Sequence, residues 1–298
     1  MTGSAQIGKI DEIAKIALGT CAWSYADWRG VFYPETLSQA KLLGWYSRFF
    51  KAVEVDSTFY HAPSVRSSTH WLETTPEDFT FTVKLTRAIT HDNRLRDSEA
   101  LLEHFLEGLE PLRAKLGCVL IQLPGSFKPA HDEDALRRFV AALPRDWRFA
   151  IEFRDHGWHL PRVIHWLQDH RVAWAWTDTE PYSHEAEGAF EWLPQTADFL
   201  YIRLLGDLKT KFRADGKRVV ERYDHLRWPR DRSIDNWSVK IRHHLKESER
   251  VFLFAANHFE GCSPLTAERL AHSLGIPLEL PSLDEGSTPG GSSQLDLF

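Results

Sequence analysis

Nowhere does the 298-residue chain offer an apolar run approaching the roughly 18–20 residues needed to cross a bilayer. Its first residues, Met1–Lys15, carry Asp11 and Glu12 and lack the apolar stretch of a secretory signal. Cysteine is scarce. Cys21, Cys118 and Cys262 are too scattered to form a disulfide framework or a metal-ligand spacing. Neither HxH nor HExxH occurs, so no compact zinc motif is present. An excess of basic charge is missing too: the formal net charge of -6 argues against coating nucleic acid through bulk charge, while leaving room for a local basic face. Together these absences place the protein in the cytoplasm, with no membrane partner.

What is present is an ordinary globular composition, 43% hydrophobic and 26% charged, with an unusual twelve tryptophans. Short β-branched or aromatic runs recur at 16–23, 52–56, 79–85, 118–123, 149–153, 172–177, 199–204 and 251–256. They are nearly continuously apolar, as strands buried on both faces of a parallel sheet must be. Between them fall helical spacings: Leu42, Leu43 and Tyr46; Leu101, Leu102 and Phe105; Leu136, Phe139 and Val140; Val163, Trp166 and Leu167; Ile234, Trp237 and Ile241; Leu265 and Leu270. The alternation predicts an α/β fold, a TIM-type (β/α)8 barrel, with a doubly wound open sheet as the alternative. Its weakest stretch is 178–198, where Pro181, Gly188 and Pro194 leave little room for a helix. Trp71, Trp166 and Trp237 are expected in the core; Trp23, Tyr25, Trp28 and Tyr33 crowd a loop-like stretch.

In such a barrel, function gathers at the carboxyl ends of the strands. The polar residues there are Ser24, Glu54, Asp56, Lys84, Gln122, Glu152, Arg154, Asp178, Arg203 and Asn257. Ionisable groups so close to a buried sheet are costly unless paired or used.

These residues sit in recognisable motifs. Gly19–Tyr25 (GTCAWSY) with Trp28, Gly30 and Phe32–Pro34 opens the series, followed by Val53–Tyr60 (VEVDSTFY) and Phe79–Lys84 with Ile89–His91. Gln122–Pro124, Glu152–Arg154 with Trp158, Tyr201–Arg203 with Gly206, and Asn257–His258 with Gly261 complete it. From Leu18 to about Leu274 the chain resembles the YecE-like family (domain of unknown function 72), which implies a TIM-barrel fold. The motifs are specific for that family and not for a reaction. Two positions depart from it: Asp155 and Leu205 stand where the family often has histidine, which weakens any use of those imidazoles as ligands or bases.

Glu54, Glu152 and Asp178, from three strands, are candidate acid/base groups. They are also the candidate ligands of a divalent metal (Mg, Mn or Zn), helped by His91 or His258. Lys84, Arg154 and Arg203 can instead neutralise those carboxylates with no metal. Lys84 has two readings, an ion-pair partner of Glu54 or Glu152, or a desolvated amine that attacks a carbonyl. Arg154 and Arg203 suit phosphate. His156–His159 is expected at the surface beyond strand five. The stretch after strand seven gathers Lys209, Lys211, Arg213, Lys217, Arg218 and Arg222, diluted by Asp207, Asp215 and Glu221, either a phosphate-binding loop or a solvated one. Trp23, Tyr25, Phe59 and Tyr60 are candidate stacking surfaces for bases, and His91, Gln122 and Asn257 candidate polar contacts to a substrate.

The carboxyl terminus adds a second resemblance. Gln294–Phe298 (QLDLF) follows a segment poor in apolar residues and rich in Gly, Ser and Pro. It resembles the peptide by which bacterial polymerases and repair proteins dock on the β sliding clamp. That implies a rim hydrogen bond from Gln294 and a pocket filled by Leu295, Leu297 and Phe298, with the linker setting reach. The chain thus divides into an extension at 1–15, a barrel at 16–278, a flexible linker at 279–293 and the motif at 294–298. The expected function is a clamp-tethered DNA-processing or repair enzyme of bacterial type, a hydrolase or lyase acting at a damaged nucleotide. Its rivals are a non-catalytic clamp-bound DNA-binding module and a metabolic barrel enzyme acting on a phosphorylated sugar-like substrate.

Overall fold

A computed structural model of the protein describes residues 12–179, 193–207 and 221–283. Eight parallel strands close on one another in sequence order, β1 (Ile16–Cys21), β2 (Ala52–Val55), β3 (Thr80–Lys84), β4 (Leu116–Gln122), β5 (Phe149–Glu152), β6 (Ala173–Thr177), β7 (Phe199–Leu204) and β8 (Arg250–Ala255), with β8 pairing β1. The expected barrel is therefore the fold, and each apolar run contains one strand to within a residue or two. The open-sheet alternative falls, because β1 and β8 are bonded from Ile16–Val251 to Thr20–Ala255.

Helices follow the strands: α1 (Leu42–Tyr46), α2 (Val65–Thr74), α3 (Glu99–Leu109), α4 (Pro129–Ala142), α5 (Pro161–His170), α6 (Asp231–His244), α7 (Asn257–Glu260) and α8 (Ser263–Leu274). Their ends are written locally. Ser64 and Ser67 form a reciprocal capping box at the start of α2. Proline opens α4, α5 and α8, where its missing N–H is no loss. Gly275, at φ 79°, caps α8 with its N–H. Beyond α8, Ile276, Leu278 and Leu280 still pack on the core, and the Leu280 N–H reaches Glu268. The segment Asp178–Asp198 falls largely outside the described residues.

Two apolar layers result. Strand residues such as Val53, Val83, Ile121, Ile151, Ile202 and Leu253 face the helices. The alternate residues fill the barrel, and there small meets large: Ala17, Ala52, Ala150, Ala173 and Ala175 make room for Phe199, Tyr201, Phe252 and Phe254. Gly117 belongs to that fit, since a Cβ there would stand 2.6 Å from the Phe252 ring. Trp237 is fully buried as expected, whereas Trp71 and Trp166 only lean on the core. Trp28 and Tyr33, from the loop-like aromatic stretch, are fully buried. Among the described residues no helix is long and apolar enough to cross a membrane.

Candidate active site

The inward-facing parity of the strands brings the carboxylates and the guanidinium of the site to their carboxyl ends. On β7, Phe199, Tyr201 and Arg203 alternate inward, so the strand turns from ring to hydroxyl to guanidinium as it rises. On β2 the same parity follows Ala52 with Glu54, and on β5 it follows Ala150 with Glu152. Barrel closure brings these three strands' tips together around Arg203, which is only 3% exposed.

Arg203 is the hub. Its Nε and Nη2 donate to Glu54 Oε1 at 3.0 and 2.6 Å, and its Nη1 donates to Glu152 Oε2 at 2.5 Å. Its Nη2 also lies 3.6 Å from Asp56 Oδ1. The second oxygen of Glu54 accepts the Tyr201 hydroxyl at 2.6 Å, and that hydroxyl is 2.9 Å from Thr82 Oγ1. The second oxygen of Glu152 accepts Arg154 Nε. Both glutamates are fully buried, a position tenable only with such a complement of donors.

This arrangement splits the two carboxyls. Burial raises Glu54 above the ordinary range, outweighing Arg203, and the charge of Asp56 adds to the rise. Burial also works on Glu152, but Arg154 and Arg203 overcome it and hold the group down at about 2. Two acids sharing one guanidinium are thus shifted in opposite directions, a pattern that enzymes use to separate acid and base roles.

Lys84, the last residue of β3, is not in that lattice. The expectation that it pairs with Glu54 or Glu152 is corrected: among the described residues its Nζ makes neither an ion pair nor a hydrogen bond. It lies 4.2 Å from the centre of the Phe59 ring. Its backbone is fixed by Thr58, whose hydroxyl donates to the Lys84 carbonyl at 2.7 Å. Desolvation lowers its pKa, Asp56 opposes this, and Arg203 adds to the lowering. Arg154 likewise keeps a free end, its Nε on Glu152 and its two Nη groups without a partner among the described residues.

Around this centre stand the remaining candidates. His91 packs edge-on against Phe59, its Nδ1 2.9 Å from Thr90 Oγ1; burial and the neighbouring Lys84 lower it to about 4, so it is neutral at pH 7. Tyr60 is 73% exposed beside Phe59, a free ring face. Trp23 packs edge-on against Trp71, and Tyr25 lies against Trp28 and Tyr223. Gln122 pairs in register with Glu152 and donates to its neighbour's carbonyl. Ser24 accepts from Gln39.

Two of the candidate site residues are bonded to the framework. Asp178 accepts the N–H groups of Leu205 and Gly206, tying the end of β6 to the turn after β7; burial lifts its pKa to about 6. Asn257 Oδ1 accepts from Trp28 Nε1, Ser263 N and Ser263 Oγ, locking the β8 end to α8. At the positions where the family often carries histidine, Asp155 caps the turn at Gly157 and Leu205 is buried. Trp158 is buried too, so His156–His159 is only partly surface.

The candidate metal set can be tested on geometry. All four oxygens of Glu54 and Glu152 carry donors, and Asp178 spends both of its own on backbone N–H groups. A guanidinium stands where an ion would, so these three do not fit a divalent metal. The donor atoms that do cluster, within 4.8 Å of one another, belong to Cys21, Glu54 and Asp56. There Arg203 already bridges the two carboxylates, and burial with Glu54 pushes the Cys21 thiol well up, away from the thiolate a metal needs. No metal-dependent step is derived from either group.

Sequence reasoning passed over Tyr201 as a site residue and kept Asp56 only as a strand-end polar group. The signal for Tyr201 was its place two residues before Arg203 on the same face of one strand. The cluster from Lys209 to Arg218 and the motif Gln294, Leu295, Leu297 and Phe298 lie outside the described residues. Arg222 is described and exposed, paired with Asp224 at 3.1 Å.

Comparison with known proteins gives a consistent kinship. Over 141 residues, 47% of this chain and 48% of the relative, the sequence is 31% identical to the UPF0759 protein YecE of Escherichia coli K12, so the match spans about half the length of that relative. It is 25% identical over 293 residues to the UPF0759 protein YunF of Bacillus subtilis 168, covering 95% of this chain and all of that one. The crystal structure of a DUF72 family protein from Thermotoga maritima MSB8 superposes with a TM-score of 0.72 at 28% identity, over 87% of this chain and 99% of that one. A DUF72 family protein from Enterococcus faecalis V583, at 20% identity and TM-score 0.71, shares the fold. The model of the family described as "Protein of unknown function DUF72" matches residues 17–289, and the chain belongs to that family.

Proposed function

We propose that this barrel is a DNA-processing enzyme, a hydrolase or lyase that acts at a damaged nucleotide and is delivered by its carboxyl-terminal motif to the sliding clamp. The observation that carries the catalytic half is the division of Glu54 and Glu152 about Arg203, beside Lys84, which has no ion pair among the described residues. A structural ion-pair cluster gives no role to an amine that pairs with none of its members, and a site for a carbonyl or phosphoryl group does. The free Nη groups of Arg154 are the natural hands for a phosphate, and the exposed Tyr60 ring is a face on which an extruded base or its neighbour can stack.

The DNA half rests on sequence. The basic residues between Lys209 and Arg218 follow β7, whose loop is a frequent phosphate site in such barrels, and QLDLF resembles a clamp-docking peptide. Turnover is measured on duplexes carrying an abasic site, a uracil, a nick or a gap, with Mg, with Mn and with EDTA. Cleavage of one of them, surviving EDTA and lost in Glu152→Gln, is the expected result. Binding without turnover would leave only a DNA-binding module. Turnover confined to a phosphorylated sugar would make this a metabolic enzyme.

A further inference from the structure

Resting on the reading above, the placement of Lys84 also says which chemistry the site performs. We propose that Lys84 is an imine-forming nucleophile for the aldehyde form of a sugar that carries phosphate at the carbon β to its carbonyl, with Asp56 as the base. Three features of the structure carry this.

Lys84 Nζ has no carboxylate within ion-pair distance among the described residues, and it faces the Phe59 ring at 4.2 Å. A lysine kept only to balance Glu54 or Glu152 would sit on one of them, yet both are saturated by Arg203, Arg154 and Tyr201. Its position at the end of β3, with its carbonyl held by Thr58, places it among the strand-end groups at the mouth of the barrel. Asp56 is the complementary group: its Oδ1 makes no hydrogen bond, and its side chain is 34% exposed at the tip of β2. It is also the carboxylate that acts most strongly on the lysine. Arg154 offers its unused Nη groups to the phosphate. The desolvation that lowers Lys84 keeps a larger share of it as the free amine.

The steps balance without a redox partner. The neutral amine adds to the aldehyde carbon, forming a C–N bond, and with one proton taken up from solvent the carbonyl oxygen leaves as water, giving a protonated imine. Asp56 takes the proton from the adjacent carbon. Those electrons form a carbon–carbon double bond while the next C–O bond breaks, and the phosphate leaves with the bonding pair. Water then adds to the imine carbon, releasing an unsaturated aldehyde, restoring the neutral amine and returning the proton taken up at the start; the proton on Asp56 passes to solvent. In DNA the matching substrate is an opened abasic sugar, whose 3′-phosphate is the leaving group.

Reductive trapping tests this on the full chain. The protein is mixed with an abasic-site duplex, and separately with glyceraldehyde 3-phosphate, whose phosphate sits on the carbon β to the aldehyde, in the presence of sodium cyanoborohydride, and the adduct is located by intact and peptide mass. The expected result is a single adduct on Lys84, reduced to background in Lys84→Ala and in Lys84→Arg, which retains the charge but cannot form the imine. Thermal melting confirms that both variants fold, and peptide mapping of the wild-type adduct stands even if one of them does not. No adduct with either probe, an adduct on another residue, or an active Lys84→Arg would overturn the proposal. Cleavage of abasic DNA with no adduct would remove the imine and leave the DNA reading standing. An adduct from the free sugar phosphate alone would keep the imine and remove the DNA reading.

Discussion

Replacing Arg203 with methionine would strand two fully buried carboxylates, Glu54 and Glu152, that now share its guanidinium. Breaking a buried pair by removing one partner costs about 3–5 kcal/mol, because the other charge stays buried and unmatched. Chemical denaturation should show a loss of that size for Arg203→Met, and Glu54→Gln added in that background should return part of it. A variant as stable as wild type would mean the ring is not held by this residue. Asp178 makes a pH prediction. Its pKa is raised from 3.8 to about 6 in the folded protein, so the native state binds the extra proton. Stability from this group is therefore fully present below about 3.8 and lost as pH rises through about 6, a swing of about 3 kcal/mol at 1.36 kcal/mol per pKa unit. His91, lowered from 6.5 to about 4, has the opposite sign and loses stability as pH falls through that range. The difference between Asp178→Asn and wild type at each pH isolates the first effect; if that difference is flat from pH 4 to 7, the carboxyl is not held protonated.

At the scale of elements, the turn after β7 is the tightest joint in the site's frame. Gly206 has φ 72°, and a Cβ there would lie 2.1 Å from the His258 carbonyl oxygen on α7. Its N–H also serves Asp178, so one residue couples the ends of β6, β7 and β8. Gly206→Ala must therefore strain the backbone and push two elements apart, for a loss of about 2 kcal/mol or more. Gly275, which caps α8 at φ 79°, meets only Ile13 at 3.7 Å, so Gly275→Ala should cost about 1–2 kcal/mol from conformation alone. Paired melting curves decide this, and equal losses would contradict the close approach. The strands were legible because their runs are apolar on both faces.

For the whole molecule the prediction concerns the tail. The barrel's chain stays tied to α8 as far as Leu280, through Glu268. If residues 294–298 act only as a hook, their deletion, or Leu297→Ala with Phe298→Ala, should abolish binding to purified β clamp. The melting temperature should shift by less than about 1 °C, since surface changes lie within about 0.5 kcal/mol. A clear fall in stability would show that the tail packs on the barrel instead. Retained clamp binding would remove the tether from the proposed function.

Apolar runs, helical spacings and strand-end charges are properties of neighbouring residues, and the sequence by itself determined from them the barrel, its approximate strands and the roster of polar groups at its mouth. Which of those groups meet was decided only by closure. Arg203 reaches Glu54 across 149 residues of chain and Glu152 across 51, and no local pattern encodes such a meeting. The same closure bonded Asp178 and Asn257 to framework groups, drew Tyr201 into the site and left Lys84 without an ion pair among the described residues. Strand identity follows from unbroken apolar runs along the chain. Site membership follows from distances across the barrel, which exist only after β1 and β8 have paired.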